Sequence, residues 1–175
     1  MLTRSKDRPI LCNDDGWMIP EPLSPPSVDD LRERMVTIYK HTPVRAICWS
    51  VGGHEVFTYE TDVGERYGEV PKPFVDPIGN QTARNFEALI QSCGGPLSAL
   101  VDLCHEADMD FIPSVRMNEH YDVDPSVPEY GRFRRDHPEW LIGRPDEVFA
   151  EGSMEWGVRT GLNFAFPQVR DHMLA

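Results

Sequence analysis

Long hydrophobic runs are missing from this chain. The stretch from Met1 to Arg8 is polar and charged, and no apolar segment follows it, so neither a membrane span nor a secretory leader is expected. If Met1 is the true start, the expected location is the cytoplasm. A concentrated basic face is missing too. A formal charge of -12 and a pI near 4.8 argue against a surface built to hold nucleic-acid phosphates. The one basic knot, Arg132, Arg134 and Arg135, reads as a solvated loop. Cysteine is sparse: Cys12, Cys48, Cys93 and Cys104 form no CxxC pair and are too few for a disulfide scaffold, which leaves buried free thiols as the expectation. No GxGxxG follows the first apolar run and no GxxxxGK[ST] occurs, so neither a dinucleotide fold nor a P-loop is supported, and no cofactor is called for.

What is present is enough apolar material for one core. The 175 residues are 40% hydrophobic and 10% aromatic, a composition for one domain or part of one. Pro9 to Cys12 forms a short apolar run that opens into Asn13, Asp14, Asp15, Gly16 and Trp17, the pattern of a strand ending in a polar loop. Ser27 with Asp30 resembles a capping box, and Val28, Leu31, Met35, Ile38 and Tyr39 follow at helical spacing. Pro43 to Val51 is β-branched and aromatic and ends in Gly52 and Gly53, which predicts a second strand.

Residues His54 to Thr82, with Glu55, Tyr59, Glu60, Asp62, Glu65 and Tyr67, show no helical periodicity and read as a long loop of the kind that is usually functional or mobile. Helical spacing resumes near Thr82, breaks at Gly94 and Gly95, and restarts at Pro96 through about Asp108. The third strand pattern is Phe111 to Arg116, and it discharges Asn118, Glu119, His120, Tyr121 and Asp122. Asp122 to Gly157 reads as a second long polar loop. Gly161 to Ala165 reads as a short extended piece, and Pro167 opens a last helix. The order is βαβαβ, which predicts parallel strands with crossover helices, and the absent nucleotide motifs favour a barrel over an open sheet.

The segments ILCNDDGW, PVRAICWSVGG with a following glutamate and Tyr-Glu, FIPSVRMNEHYD, HPEWLIG and LNFAFPQVRDHMLA occur in one order across Pro9 to Ala175. In this combination the chain resembles the glycosyl-hydrolase-like (family-10-like) TIM-barrel proteins of bacteria, planctomycetes among them. The resemblance implies an α/β fold, a partial (β/α)8 TIM barrel holding its first three to four β/α units with long βα loops. Residues 1–175 are then the truncated N-terminal portion of one barrel domain, since such barrels need about 250 residues. It also implies a catalytic carboxylate beyond Ala175. Family members often carry Asp where this chain has Asn163.

Glycoside hydrolysis needs two carboxyl groups beside the scissile bond. Asp14, Asp15, Glu55, Glu119 and Asp122 are the strand-end candidates, and binding is the safer assignment for each. Trp17, Trp49, Arg116, Asn118 and His120 offer the aromatic platforms and hydrogen-bonding groups a sugar pocket uses. The expected saccharide-binding set is therefore Asp14, Asp15, Trp17, Trp49, Glu55, Arg116, Asn118, His120 and Asp122. Trp49 and Trp140 have core packing and loop anchoring as their plain alternatives, whereas an Arg at a buried strand end asks for a partner. Two rival readings stay open: a metal-dependent hydrolase or isomerase using His120, Asp122 and Asp124, and a non-catalytic carbohydrate-binding protein. If the chain is truncated, open strand edges invite self-association, and residues 1–175 alone are expected to be weakly stable and inactive.

Overall fold

The computed structural model describes residues 10–16, 26–53, 55–69, 77–118, 124–127, 129–144 and 146–175. In chain order the elements are β1 (Ile10–Asp14), α1 (Val28–Leu31), β2 (Val44–Ser50), β3 (Val56–Phe57), β4 (Glu65–Arg66), α2 (Pro77–Cys93), α3 (Pro96–Glu106), β5 (Asp110–Ser114), α4 (Arg132–Asp136), α5 (Met154–Val158) and α6 (Pro167–Leu174). Local chemistry explains most boundaries. Ser27 accepts from the Asp30 backbone N–H while the Asp30 carboxylate accepts from Ser27, a complete capping box at the start of α1. Gly94, at positive φ, and Gly95 take the Ile90 and Leu89 carbonyls and stop α2, and Pro96 then opens α3.

Strands β1, β2 and β5 form a parallel sheet in the order β1-β2-β5, with Cys12 beside Ile47 and Ile47 beside Phe111. Because paired residues of parallel strands share a face, this register sends Cys12, Ile47, Trp49 and Phe111 to one side. There they meet Leu31 and Met35, Phe86 and Leu89 of α2, and Leu100, Leu103 and Cys104 of α3. Full burial of such a side chain contributes about 1.5–3 kcal/mol. The opposite face is open among the described residues: Leu11 is 51% exposed and Ile112 40%.

This architecture corrects the expected partial TIM barrel. It is a mixed α/β structure with one three-stranded parallel sheet and one two-stranded pair, β3 with β4. Adjacent strands twist by only about 20–25°, so three of them cannot curl into a closed wall. No fourth strand extends the sheet among the described residues. Gly161 to Ala165, read as extended, makes a single bridge, Leu162 to Leu141, inside a separate apolar cluster of Leu141, Leu162 and Val169.

Smaller differences have local causes. After α1 the helix continues as a π turn over Arg32–Val36 and a 3-10 turn over Thr37–Tyr39. The wider turn rotates the buried face, so Val36 is buried and Ile38 is exposed. The loop read from His54 to Thr82 contains β3 and β4, and α2 begins at Pro77. The polar loop read from Asp122 to Gly157 contains α4, a 3-10 turn over Pro138–Trp140 and the start of α5. Of the four thiols only Cys104 is buried, and burial pushes it up to about 11. Cys12 is half-buried and donates to the Tyr39 hydroxyl at 2.9 Å. No helix of the described residues is long and apolar enough to cross a membrane.

Candidate functional site

Chain leaving the C-terminal ends of the three parallel strands gathers at one edge of the molecule. β1 ends in Asp14, whose carboxylate accepts the Gly16 N–H at 2.7 Å. That turn lies so close over β2 that a Cβ on Gly16, which sits at φ +79°, would collide with the Ser50 carbonyl. Glycine is required there on both counts. β5 runs out to Arg116, whose N–H donates to the Gly52 carbonyl at 3.2 Å and whose guanidinium pairs with Asp15 at 2.8 Å. Burial pushes the Asp14 carboxyl up, the Gly16 N–H pulls it down, and the Asp15 charge raises it again.

Between these strand ends and the β3 and β4 segment is a narrow cleft. Asp15, Gly16 and Ser50 form one side, and Val56, Thr58 and Tyr67 another, with Phe86 of α2 and Glu129 completing it. Its interior measures about 30 Å3, room for one or two water-sized groups. The Tyr67 ring packs edge-on against Phe86 with centroids 5.5 Å apart, and its hydroxyl donates to Glu129 Oε1 at 2.9 Å. Thr58 Oγ1 donates to the Val51 carbonyl at 3.1 Å, which holds the return of the β2 loop.

Behind the cleft lies a different kind of polar cluster. Glu55 is 2% exposed and accepts from the backbone N–H groups of Gly131 at 2.9 Å and Arg134 at 3.0 Å, and from the Arg134 side chain. Glu65 accepts the Arg132 N–H and pairs with Arg132 at 3.4 Å and Arg135 at 3.3 Å. Both carboxylates thus cap the N-terminal turn of α4, where orphan N–H groups and the helix field favour negative charge. Arg134 also donates to the Glu129 carbonyl and lies 4.3 Å over the Tyr130 ring. The three-arginine knot read as a solvated loop is a clamp, with the Arg134 side chain fully buried. By gripping the Glu129 carbonyl it fixes the segment that carries Glu129 to Tyr67.

The expected site residues divide accordingly. Asp14, Asp15 and Arg116 come together at the strand ends. Trp49 does not reach the cleft; it is fully buried under the helices, and its Nε1 finds no hydrogen-bond partner. Its position, one pleat from Ile47 on the helix-covered face, is the physical reason. Glu55 is taken up by the clamp. Asn118 reaches across to Leu162, accepting its N–H at 2.9 Å and donating to its carbonyl at 3.0 Å, so it ties the C-terminal segment to the sheet. Trp17, His120 and Asp122, with Glu119, lie outside the described residues. Asp124 accepts the Ser126 N–H at 2.9 Å, and no three described His, Cys, Asp or Glu side chains are grouped to hold a metal ion.

Nothing local in the sequence marks Thr58, Ser50 or Glu129, whereas Tyr67 belongs to the long loop expected to be functional or mobile. A second, roomier hollow of about 230 Å3 is lined by Glu65, Arg132, Phe133, His137 and His172 among others. His172 stacks on Phe133 and His137 on Trp140, each at 3.8 Å. Comparison of the chain with protein-family models and with curated proteins finds no match in either.

Proposed function

We propose that the strand-end cleft binds a saccharide and that the protein acts on, or recognises, glycosides. One observation carries this reading. An aromatic wall of Tyr67 and Phe86 stands beside carboxylates on two sides, Asp15 and Glu129, with the hydroxyls of Ser50 and Thr58 nearby. Sugars present apolar faces edged with hydroxyl groups, and this mixture of ring, carboxylate and hydroxyl complements both. The place is apt as well, because ligands of parallel α/β sheets bind outside the carboxyl ends of the strands. Asp15, held by Arg116, is oriented to accept from sugar hydroxyls, and its exposure of 63% leaves it accessible.

Glycoside hydrolysis needs a pair of carboxyl groups, and Asp15 with Glu129 is the pair this cleft supplies. The binding-only reading uses the same residues without bond cleavage. The test is to titrate the protein with a panel of methyl glycosides and short oligosaccharides by NMR, then assay nitrophenyl glycosides for release of nitrophenol. Sugar-dependent shifts abolished by Arg116→Met support the reading, and release abolished by Glu129→Gln makes it enzymatic. Shifts without release make the protein a binding module. No shift with any sugar overturns it.

A further inference from the structure

Arg132, Arg134 and Arg135 all belong to α4, and their contacts reach both sides of the hydrogen bond between Tyr67 and Glu129 in the cleft wall. On the Glu129 side, Arg134 donates through Nη2 to the Glu129 carbonyl and Arg135 through Nη1 to the Tyr130 carbonyl. Two successive peptide groups are thereby held by one short helix. On the Tyr67 side, Glu65 of β4 accepts the Arg132 N–H and pairs with Arg132 at 3.4 Å and Arg135 at 3.3 Å. Glu55 accepts from Arg134 Nε, and its own carbonyl takes the Glu65 N–H at 2.7 Å, which ties the two acids together through the backbone. The Tyr67 N–H then donates to the Phe57 carbonyl at 2.7 Å, so the brace runs on from Glu65 into the tyrosine.

We propose that the three arginines of α4 are positioning residues for the cleft, setting the placement of Tyr67 against Glu129 although none of the three is among the described residues that line it. For what the cleft receives, this rests on the saccharide reading above. Tyr67 and Glu129 come from segments 62 positions apart, and two such groups ordered only when a ligand arrives would cost affinity. A brace built into the fold removes that cost beforehand. Arginine suits the task because its planar fork engages two acceptors at a fixed angle, here the Glu55 carboxylate through Nε and the Glu129 carbonyl through Nη2. A lysine ammonium is a single point and does not hold both in register.

The experiment uses the whole chain with tyrosine labelled at the ring carbon that bears the hydroxyl, whose NMR signal responds to the hydrogen bond the hydroxyl makes. Tyr67→Phe identifies the signal among the five tyrosines. Arg134→Lys keeps a cation for Glu55 and gives up the grip on the Glu129 carbonyl. It should move the Tyr67 signal from its wild-type position and weaken binding of the methyl glycosides that wild type takes by about tenfold, the scale of one lost hydrogen bond. Arg135→Met, at a side chain 25% exposed, should act in the same direction, and it decides the question if Arg134→Lys does not fold. Arg32→Met breaks an exposed pair with Glu106, neither of which lines the cleft, and should move neither reading. An unmoved Tyr67 signal in the folded variants, or a moved signal with undiminished binding, overturns the inference. Absence of binding by wild type overturns instead the saccharide reading, and the Tyr67 signal then decides the positioning role by itself.

Discussion

Two polar clusters sit back to back in this protein and use the same residue types to opposite ends. In the clamp, Glu55 and Glu65 meet Arg132, Arg134 and Arg135, and the central pair is sealed, with Glu55 2% exposed and Arg134 fully buried. In the cleft, Asp15 meets Arg116 with the acid 63% exposed and the guanidinium 32%. A sealed pair has lost its water and depends on its partner, whereas an open pair keeps water as an alternative partner. The contrast teaches that an acid–arginine pair alone says nothing of function. Solvent access decides whether a carboxylate is structural or available to a ligand.

The comparison breaks most visibly at Arg134. Arg134→Met leaves Glu55 charged without its counter-ion, and a loss of about 3–5 kcal/mol is expected in urea unfolding. Pairing it with Glu55→Met should recover a substantial part of that loss, because both desolvated charges are then gone. A double variant as unstable as the single one would mean that packing, not charge, dominates the clamp. Gly131→Ala is next. A Cβ there would run into the Glu55 carboxyl, and a cost of about 1–3 kcal/mol is expected, readable as a lower thermal midpoint.

At the cleft the expected balance reverses. Arg116→Met should change stability by less than about 1 kcal/mol, as for other exposed pairs, while weakening sugar binding measurably. A stability loss as large as that of Arg134→Met would erase the distinction between the clusters. The smallest effect concerns Asp14, whose carboxyl is pushed up mainly by burial. The folded state then holds its proton to higher pH than the unfolded chain does. Its contribution to stability is full below the unfolded value near 3.8 and declines as pH rises through the raised folded value. Asp14→Asn removes that decline, so the thermal midpoint should rise slightly at pH 7 relative to wild type and match it near pH 3.

The legible parts of the fold are those written within a few residues. Ser27 and Asp30, Gly94 to Pro96, and Pro167 each act through neighbours no more than a turn away, and each marks its helix end in the structure. The strand patterns of β1, β2 and β5 were readable because apolar content and terminal turns are local properties. Asp14, Asp15 and Arg116 followed from strand ends and a parallel order. Tyr67 and Glu129 did not, since they meet across 62 positions, and Arg134 meets Glu55 across 79. Carboxylates so far apart look alike in an acidic chain until the fold chooses their partners.

The amino-acid sequence by itself determined the three parallel strands, the helix ends marked by Ser27, Gly94 to Pro96 and Pro167, and the strand-end carboxylates. Tertiary structure alone decided that the described parallel strands make one three-stranded sheet, that Trp49 belongs to the core, and that Glu55 is sealed in the clamp while Asp15 and Glu129 line a cleft. The physical reason is range. Caps, turns and pleat parity act between near neighbours, whereas solvent access and ion pairing depend on segments that only folding brings together.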